Sequence, residues 1–562
     1  MAGAVSAETQ VYLAREIITM DPALPRATAV AVEDGRISWV GDREAVASRY
    51  PGDGVSIDDR YAEAVLMPGF IEPHLHPYIA GILLPMEFIT PHDWQLADRN
   101  IAGVRGKTGY LKRLQAHVAS LPEGDWAWTW GYHPLFHGDV SLKDLDAIST
   151  ERPIVVWHRS FHEIFLNTAA IDALGIDREV AAAHPQVDLA DGRFYENGLV
   201  FLVPKISPQL FEPVRYQRAL SQARDIIRAG GITTIGDGAF GTIDLETEWA
   251  LLKASSWNRP DAPFRSQLLM DGKALGEKLG NEAALELITS MPERDEGQLR
   301  FARQQVKLFA DGAAYSQLMQ MSEPYLDEHH GEWLMTPEEL RAAAKVYWDA
   351  GFQIHVHVNG DAGLDATLDV LAQLQKGKPR EDHRLTIHHL AYARPDQARR
   401  LADLGGMVQA NPFYLWALAD SYAEHGLGPE RAAGMVPLKS FADTGMPVAF
   451  HSDFTMAPAR PLLLAWVAIN RLTAEGELAG PGERLPREEA LQAITIDAAF
   501  QMGLENEIGS ITVGKRADFV VLGDSPLTVP AATIKDIPIL GTVFEGRPTG
   551  AAAQATLMPQ SR

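Results

Sequence analysis

Between residues 8 and 67 apolar positions come in short runs: Gln10-Val11-Tyr12-Leu13, Ala29-Val30-Ala31-Val32 and Ile37-Ser38-Trp39-Val40, the last two joined by the turn Glu33-Asp34-Gly35-Arg36. Short runs separated by turn residues predict a small β domain. The same texture returns at the other end. There Gly509-Ser510-Ile511 leads through Val513-Gly514-Lys515-Arg516 to Ala517-Asp518-Phe519-Val520-Val521-Leu522, and a further run spans 540–546. Neither end has enough strands to close a core alone, so the two are expected to pair into one β-sandwich.

Between these flanks, short apolar runs alternate with helical segments, the pattern of parallel strands joined by crossover helices. Strand candidates lie near 66–74, 231–237, 265–270, 303–309, 352–358, 384–390, 406–411 and 447–452. Eight such units predict an α/β fold of the (β/α)8 TIM-barrel type. Helices are expected at Arg215 to Ala229 and Pro337 to Ala350, the second opened by Thr336 as N-cap. The gap between the first two strands is too long for one crossover, so 86–225 reads as a large insertion after the first strand. It is rich in aromatic residues, among them Trp126, Trp128, Trp130, Tyr132, Phe136 and Trp157. These either pack a subdomain core of their own or roof the active site. The expected layout is residues 1–66 and 505–562 as the two parts of the sandwich and 67–504 as the barrel with its insertion. Thr549 to Arg562 reads as a frayed tail.

Composition narrows the chemistry. The chain has 562 residues, and 50 basic against 74 acidic ones leave a formal charge of −24, which argues against nucleic acid or an anionic membrane as partner. No apolar run approaches a membrane span and the N-terminus lacks a signal pattern, so the expected location is cytoplasmic. There is no cysteine. Any metal must therefore be held by His, Asp, Glu or a modified Lys, which points to hydrolytic rather than redox chemistry.

Such residues gather where a barrel keeps its active site, at the C-terminal strand ends. The first strand ends in Pro73-His74-Leu75-His76-Pro77, which puts both imidazoles on one face. The fourth carries Lys307 in the apolar run Gln305-Val306-Lys307-Leu308-Phe309. A lysine there is either neutralised by a carboxylate such as Asp311 or left uncharged and able to take up carbon dioxide. The fifth places His355 and His357 on one face. The sixth ends in adjacent His388 and His389, only one of which can face the site, and the eighth runs His451-Ser452-Asp453.

The order His-x-His, Lys, His, His, Asp resembles the amidohydrolase superfamily, and in particular amidohydrolase family 3, the YtcJ-like metal-dependent hydrolases. Pro68-Gly69-Phe70-Ile71, Lys307-Leu308-Phe309-Ala310-Asp311-Gly312, His357-Val358-Asn359-Gly360-Asp361 and Ile508-Gly509-Ser510-Ile511-Thr512-Val513-Gly514-Lys515 carry the likeness over nearly the whole chain. It implies His74, His76 and Asp453 as ligands of one metal and His357 and His389 as ligands of a second. Lys307 would bridge them as a carbamate formed with carbon dioxide. His388 stands where the family commonly has glutamate. In Phe161-His162-Glu163, His162 matches a family histidine that can reach substrate.

The expected function is hydrolysis of a carbon–nitrogen bond, of the amide or N-substituted formamide type, by a hydroxide bridging two divalent ions, most plausibly zinc. Asp453 is expected as proton shuttle and His162 as a catalytic partner. An ester or lactone hydrolase on the same metals shares the ligand set. A mononuclear deaminase would lack the bridging lysine, and a non-enzymatic binding protein would have no use for every ligand type. The expected partners are a small-molecule substrate with an apolar or aromatic group and a second copy of the chain in a homodimer.

Overall fold

The structure is a computed structural model that describes residues 9–51 and 54–549. The expected frayed tail, Thr549 apart, lies outside them. At the N-terminal end Thr9–Ile18 pairs antiparallel with Arg26–Glu33, which pairs antiparallel with Arg36–Gly41. The hairpin closes through Asp34 and Gly35, both at positive φ (+49° and +74°), as a two-residue Asp-Gly turn requires. Thr9–Ile18 also runs parallel to Val65–Pro68, and Val65–Pro68 pairs antiparallel with Phe519–Leu522 from the other end of the chain. Both ends thus join in one eight-stranded sheet. Alternation gives it two faces: Tyr12, Val30, Phe519 and Val521 pack on one, and Val11, Ala29, Ala31 and Val46 on the other.

The eight expected central strands are all present: β1 (Phe70–Leu75), β2 (Ile232–Phe240), β3 (Arg265–Met270), β4 (Gln305–Phe309), β5 (Gln353–Val358), β6 (Thr386–His389), β7 (Met407–Ala410) and β8 (Val448–Phe450). They form two parallel arcs, β1 to β3 and β4 to β8. Between the arcs there is no continuous ladder among the described residues. A single bridge, Asp271 to Lys307, links the β3 and β4 ends. On the other side, Asp453 N–H donates to His74 O and His76 N–H to Phe454 O, each at 3.1 Å. The two expected helices are found at Pro213–Ala229 and Pro337–Asp349, the latter with a capping box between Thr336 and Glu339.

The insertion builds its own six-stranded sheet. Ala127, Ile154 and Val156 turn to a local core with Tyr110 and Leu114, whereas Trp128, Trp130, Val155 and Trp157 turn to the main core of the molecule. Period-two alternation thus divides the aromatic residues: Tyr132 lies in the local core, and Trp128, Trp130 and Trp157 in the main one. Among the described residues no helix is long and apolar enough to cross a membrane.

Because Val65–Pro68 leans on Phe519–Leu522, a chain ended near residue 505 loses an interior neighbour of the segment that leads into His74 and His76. We expect faster amide hydrogen exchange at residues 10–40 in that truncated protein than in the full chain. Unchanged protection there would contradict the dependence.

Candidate metal centre

The first strand reaches the site through a proline-rich end. Pro77 takes the first position of helix Pro77–Leu83, so the extended segment stops at His76 and both imidazoles project from its last turn of pleat. Strand β8 brings Asp453 to them. The three donor atoms form a nearly equilateral triangle: His74 Nε2 to His76 Nε2 is 3.2 Å, His74 Nε2 to Asp453 Oδ1 3.4 Å, and His76 Nε2 to Asp453 Oδ1 3.1 Å. Donors held at about 2.0–2.1 Å by a tetrahedral first-row ion lie roughly 3.3 Å from one another. The triangle therefore has the edge such an ion needs, and its members are buried.

A second triad, His74, His389 and His451, shares His74 with the first, so the two are faces of one centre. His451 is fully buried and neither of its ring nitrogens has a partner. It was not singled out from the sequence, although the signal was there: His451 and Asp453 are two residues apart at a strand end, as His74 and His76 are. His357 lies outside both triads. Its ring stands 4.3 Å from that of His389, and its Nε2 meets the Asn359 side-chain amide at 2.9 Å.

Both members of the adjacent pair on β6 reach the cluster, against the expectation that only one faces it: their rings stand 4.7 and 4.8 Å from that of His74, because His389 leaves extended backbone at φ +78°. His389 faces Asp453 Oδ2 at 3.8 Å and the Tyr414 hydroxyl at 3.4 Å. His388 turns inward: its Nδ1 lies 2.7 Å from both Lys307 Nζ and His74 Nδ1, and its Nε2 2.8 Å from His355 Nδ1. Lys307 is thus partnered by an imidazole and not by Asp311. Asp311 is fully buried and accepts the backbone N–H groups of Asn359, Gly360 and Gln320, an anchor for the β4 and β5 ends.

Electrostatics favours uncharged donors. Burial, with Lys307 nearby, holds His74, His357 and His388 well below the ordinary imidazole range; at His389 burial and His357 do the same, and burial takes His451 to about 3. Burial likewise drives Lys307 well below the ordinary lysine value, against the pull of Asp453 and Asp271. His76 is the exception. Burial opposes its charge, but Asp237, at 3.5 Å from Nδ1, and Asp453 lift it to about 9. Asp237 is placed where a carboxylate fixes the tautomer of a ligating histidine. Neutral lone pairs packed this closely, together with one carboxylate, are the donor set of a divalent cation.

His162 arrives from the insertion. Its Nδ1 is 2.7 Å from Glu196 Oε2 and its ring 5.8 Å from that of His357. Although burial opposes the charge, Glu196 raises its pKa above the ordinary value. Two site residues also hold unfavourable backbone: His389 at φ +78° and Asp453 at +55°. Each costs on the order of 1–3 kcal/mol, which surrounding structure must impose.

The sequence profile described as the Amidohydrolase family matches residues 62–549, and an imidazolonepropionase-like composite domain of bacteria matches 29–52. Protein LONG AFTER FAR-RED 3 of Arabidopsis thaliana is 27% identical over 90% of this chain and 85% of its own length. The N-substituted formamide deformylase of Arthrobacter pascens is 25% identical over 94% and 96%. Among solved structures, an uncharacterised metal-dependent hydrolase from Pyrococcus horikoshii OT3 has a TM-score of 0.69 at 20% identity, covering 93% of this chain and 99% of that one. That likeness shows a shared fold.

Gly238, on β2, is required by His74. A Cβ there would lie 2.4 Å from His74 Nε2 and 2.5 and 2.6 Å from two ring carbons. Gly238→Ala should displace the imidazole and weaken metal binding by about 10- to 100-fold, as changes behind a ligand do. Competition with a chelator measures it, with circular dichroism confirming that the fold is kept.

Proposed function

The chain belongs to the amidohydrolase family and is a hydrolase of carbon–nitrogen bonds, and on that premise we propose that it cleaves an amide or N-substituted formamide at the histidine centre. The formamide deformylase relative, aligned along 94% of this chain, supports that class of substrate. The observation that carries the reading is the donor triangle of His74, His76 and Asp453, with edges of 3.1–3.4 Å. We read the two strand arcs as one (β/α)8 barrel with this centre at its mouth.

In this reading His74, His76 and Asp453 hold one divalent ion, and His357 and His389 hold a second. Zinc suits the nitrogen-rich set. Bound there, such ions supply an activated water and a polarised scissile carbonyl. Lys307, uncharged at its buried position, is in the form that adds carbon dioxide, and its carbamate oxygens would join the two ligand groups. His388 positions Lys307 and His74 through its 2.7 Å contacts, which leaves His389 as the ligand of the pair.

Asp453 moves the proton. Burial opposes its charge, but His74 and His76 against it hold its pKa well below the ordinary carboxylate range, so the carboxylate is ionised and able to accept a proton from the attacking water. It then passes that proton to the departing nitrogen, which cannot leave as an amide anion. His162, held by Glu196, donates to the carbonyl oxygen as it gains charge. Asn359 and Tyr414 orient His357 and His389. An ester would use the same groups but needs less help at its leaving oxygen.

Three outcomes are expected. Elemental analysis of the loaded enzyme should find two ions per chain, and the intact mass should carry one added carbon dioxide that Lys307→Ala lacks. Lys307→Ala should also lose most of its metal; a full complement of ions in that variant would remove the bridging role. Asp453→Asn should lower kcat by about 10² to 10⁴ while retaining substantial metal, with the larger loss on amides than on activated esters. Equal losses on both would make Asp453 a ligand only.

A further inference from the structure

The same turn that carries His162 carries a second buried cation that the chemistry above does not use. Arg159 is 1% exposed, and both of its terminal nitrogens lack any hydrogen-bond partner. No carboxylate of the described residues is among the groups that act on it. Its guanidinium lies over three aromatic rings, 5.3 Å from the centres of Trp94 and Trp130 and 5.0 Å from that of Tyr315. The Tyr315 hydroxyl stands near it without closing a hydrogen bond of good geometry. Ring faces shelter the charge, but they do not take up N–H groups that point along the guanidinium plane.

Arg471 shows how this chain satisfies such a group. It is equally buried, and it donates to the carbonyl oxygens of Ala479, Val436, Ala433 and Met435 at 2.7–3.1 Å. Arg159 has nothing comparable, and leaving charged donors unmet in the interior is costly.

The neighbours of Arg159 are donors too. His158 Nδ1 accepts the Ser160 N–H at 3.1 Å, which leaves the proton on Nε2, and that atom has no partner. His133 Nδ1 accepts the Leu135 N–H at 3.3 Å, and its Nε2 is equally unpartnered. The two rings are 5.0 Å apart. The buried indole N–H of Trp130 also lacks an acceptor. A guanidinium fork, two imidazole N–H groups and an indole N–H, all buried in one neighbourhood and without an acceptor, favour an anion among them.

Two tyrosines stand between these groups and the metal centre. The rings of Tyr315 and Tyr414 are 5.3 Å apart, and the Tyr414 hydroxyl is 3.4 Å from His389 Nδ1. On the other side Arg159 is three residues from His162 in a turn closed by Phe161 N–H to His158 O at 3.0 Å. Resting on the amide-hydrolase reading, we propose that Arg159 binds a carboxylate carried by the substrate, so that the substrates are N-acyl amines with an acidic arm. Burial, first, and neighbouring cations hold His133 and His158 well below the ordinary imidazole range, so together these groups carry the single charge of Arg159. One positive charge in a planar fork matches a monoanionic carboxylate better than a phosphate dianion.

The test uses metal-loaded full-length enzyme and a matched pair, N-acetylphenylalanine and N-acetylphenethylamine, which differ by the carboxylate. The wild type should favour the acid by about 10- to 100-fold in kcat/KM, the range of a charged hydrogen-bonded pair. Arg159→Met should lose that preference, through a rise in KM for the acid. Equal turnover of the two amides by the wild type overturns the proposal. A binding arm is independent of catalysis: phenylacetate should change the tryptophan fluorescence of the wild type saturably, because Trp94 and Trp130 border the site, and phenethyl alcohol and inorganic phosphate should not. No saturable response to phenylacetate, or one retained with equal affinity by folded Arg159→Met or Arg159→Lys, also overturns it. Phenylacetate binding that depends on Arg159 in an enzyme that hydrolyses neither amide would sustain this proposal and refute the hydrolytic reading instead.

Discussion

The site depends on the meeting of the first and eighth strands. Asp453 N–H to His74 O and His76 N–H to Phe454 O are two backbone bonds between segments almost 380 positions apart, and they bring the Asp453 carboxylate against both imidazoles. No side-chain attraction would do this alone, because the members of the cluster are mostly neutral donors that repel through their lone pairs. The rigid strands force the donors together into a crowding that a cation would relieve. The positive φ at His389 and Asp453 belongs to the same economy: local backbone is held in an unfavourable region because the packed strands on either side leave it no other path.

Much of this was legible in the chain. The eight strand candidates fall on the eight parallel strands, because buried parallel strands are near-continuous apolar runs and the crossovers between them are helical. Alternation was enough to put His74 beside His76 but not to foresee that His388 and His389 both meet His74, since the positive φ of His389 breaks the strand pattern there. Pairing of the chain ends was legible as well, since each was too short to stand alone, although hydrogen bonding runs through one sheet where two stacked ones were expected.

What stayed hidden was whatever depends on contacts between distant segments. Lys307 had a plausible partner four residues away in Asp311, yet Asp311 is spent on three backbone N–H groups and Lys307 meets His388. Gly238 reads as one more glycine in a strand; only its closeness to His74 shows why a side chain is excluded. Arg159 looks like an ordinary surface arginine until its burial among Trp94, Trp130 and Tyr315 is known. Residue types and periodicity reveal what a strand can present, not what will stand opposite.

The pairing of Val65–Pro68 with Phe519–Leu522 has a consequence for how the enzyme is made. The segment that leads into His74 and His76 leaves the ribosome well before its neighbour strand, which lies about 450 positions later in the chain. At roughly 5–20 residues per second, that neighbour follows tens of seconds later. Through that interval His74 and His76 sit in a chain whose longest-range contacts are unmade, so on the proposed ligand set a cation would be captured only after those contacts have formed. High contact order here delays the birth of the site until the protein can close around it.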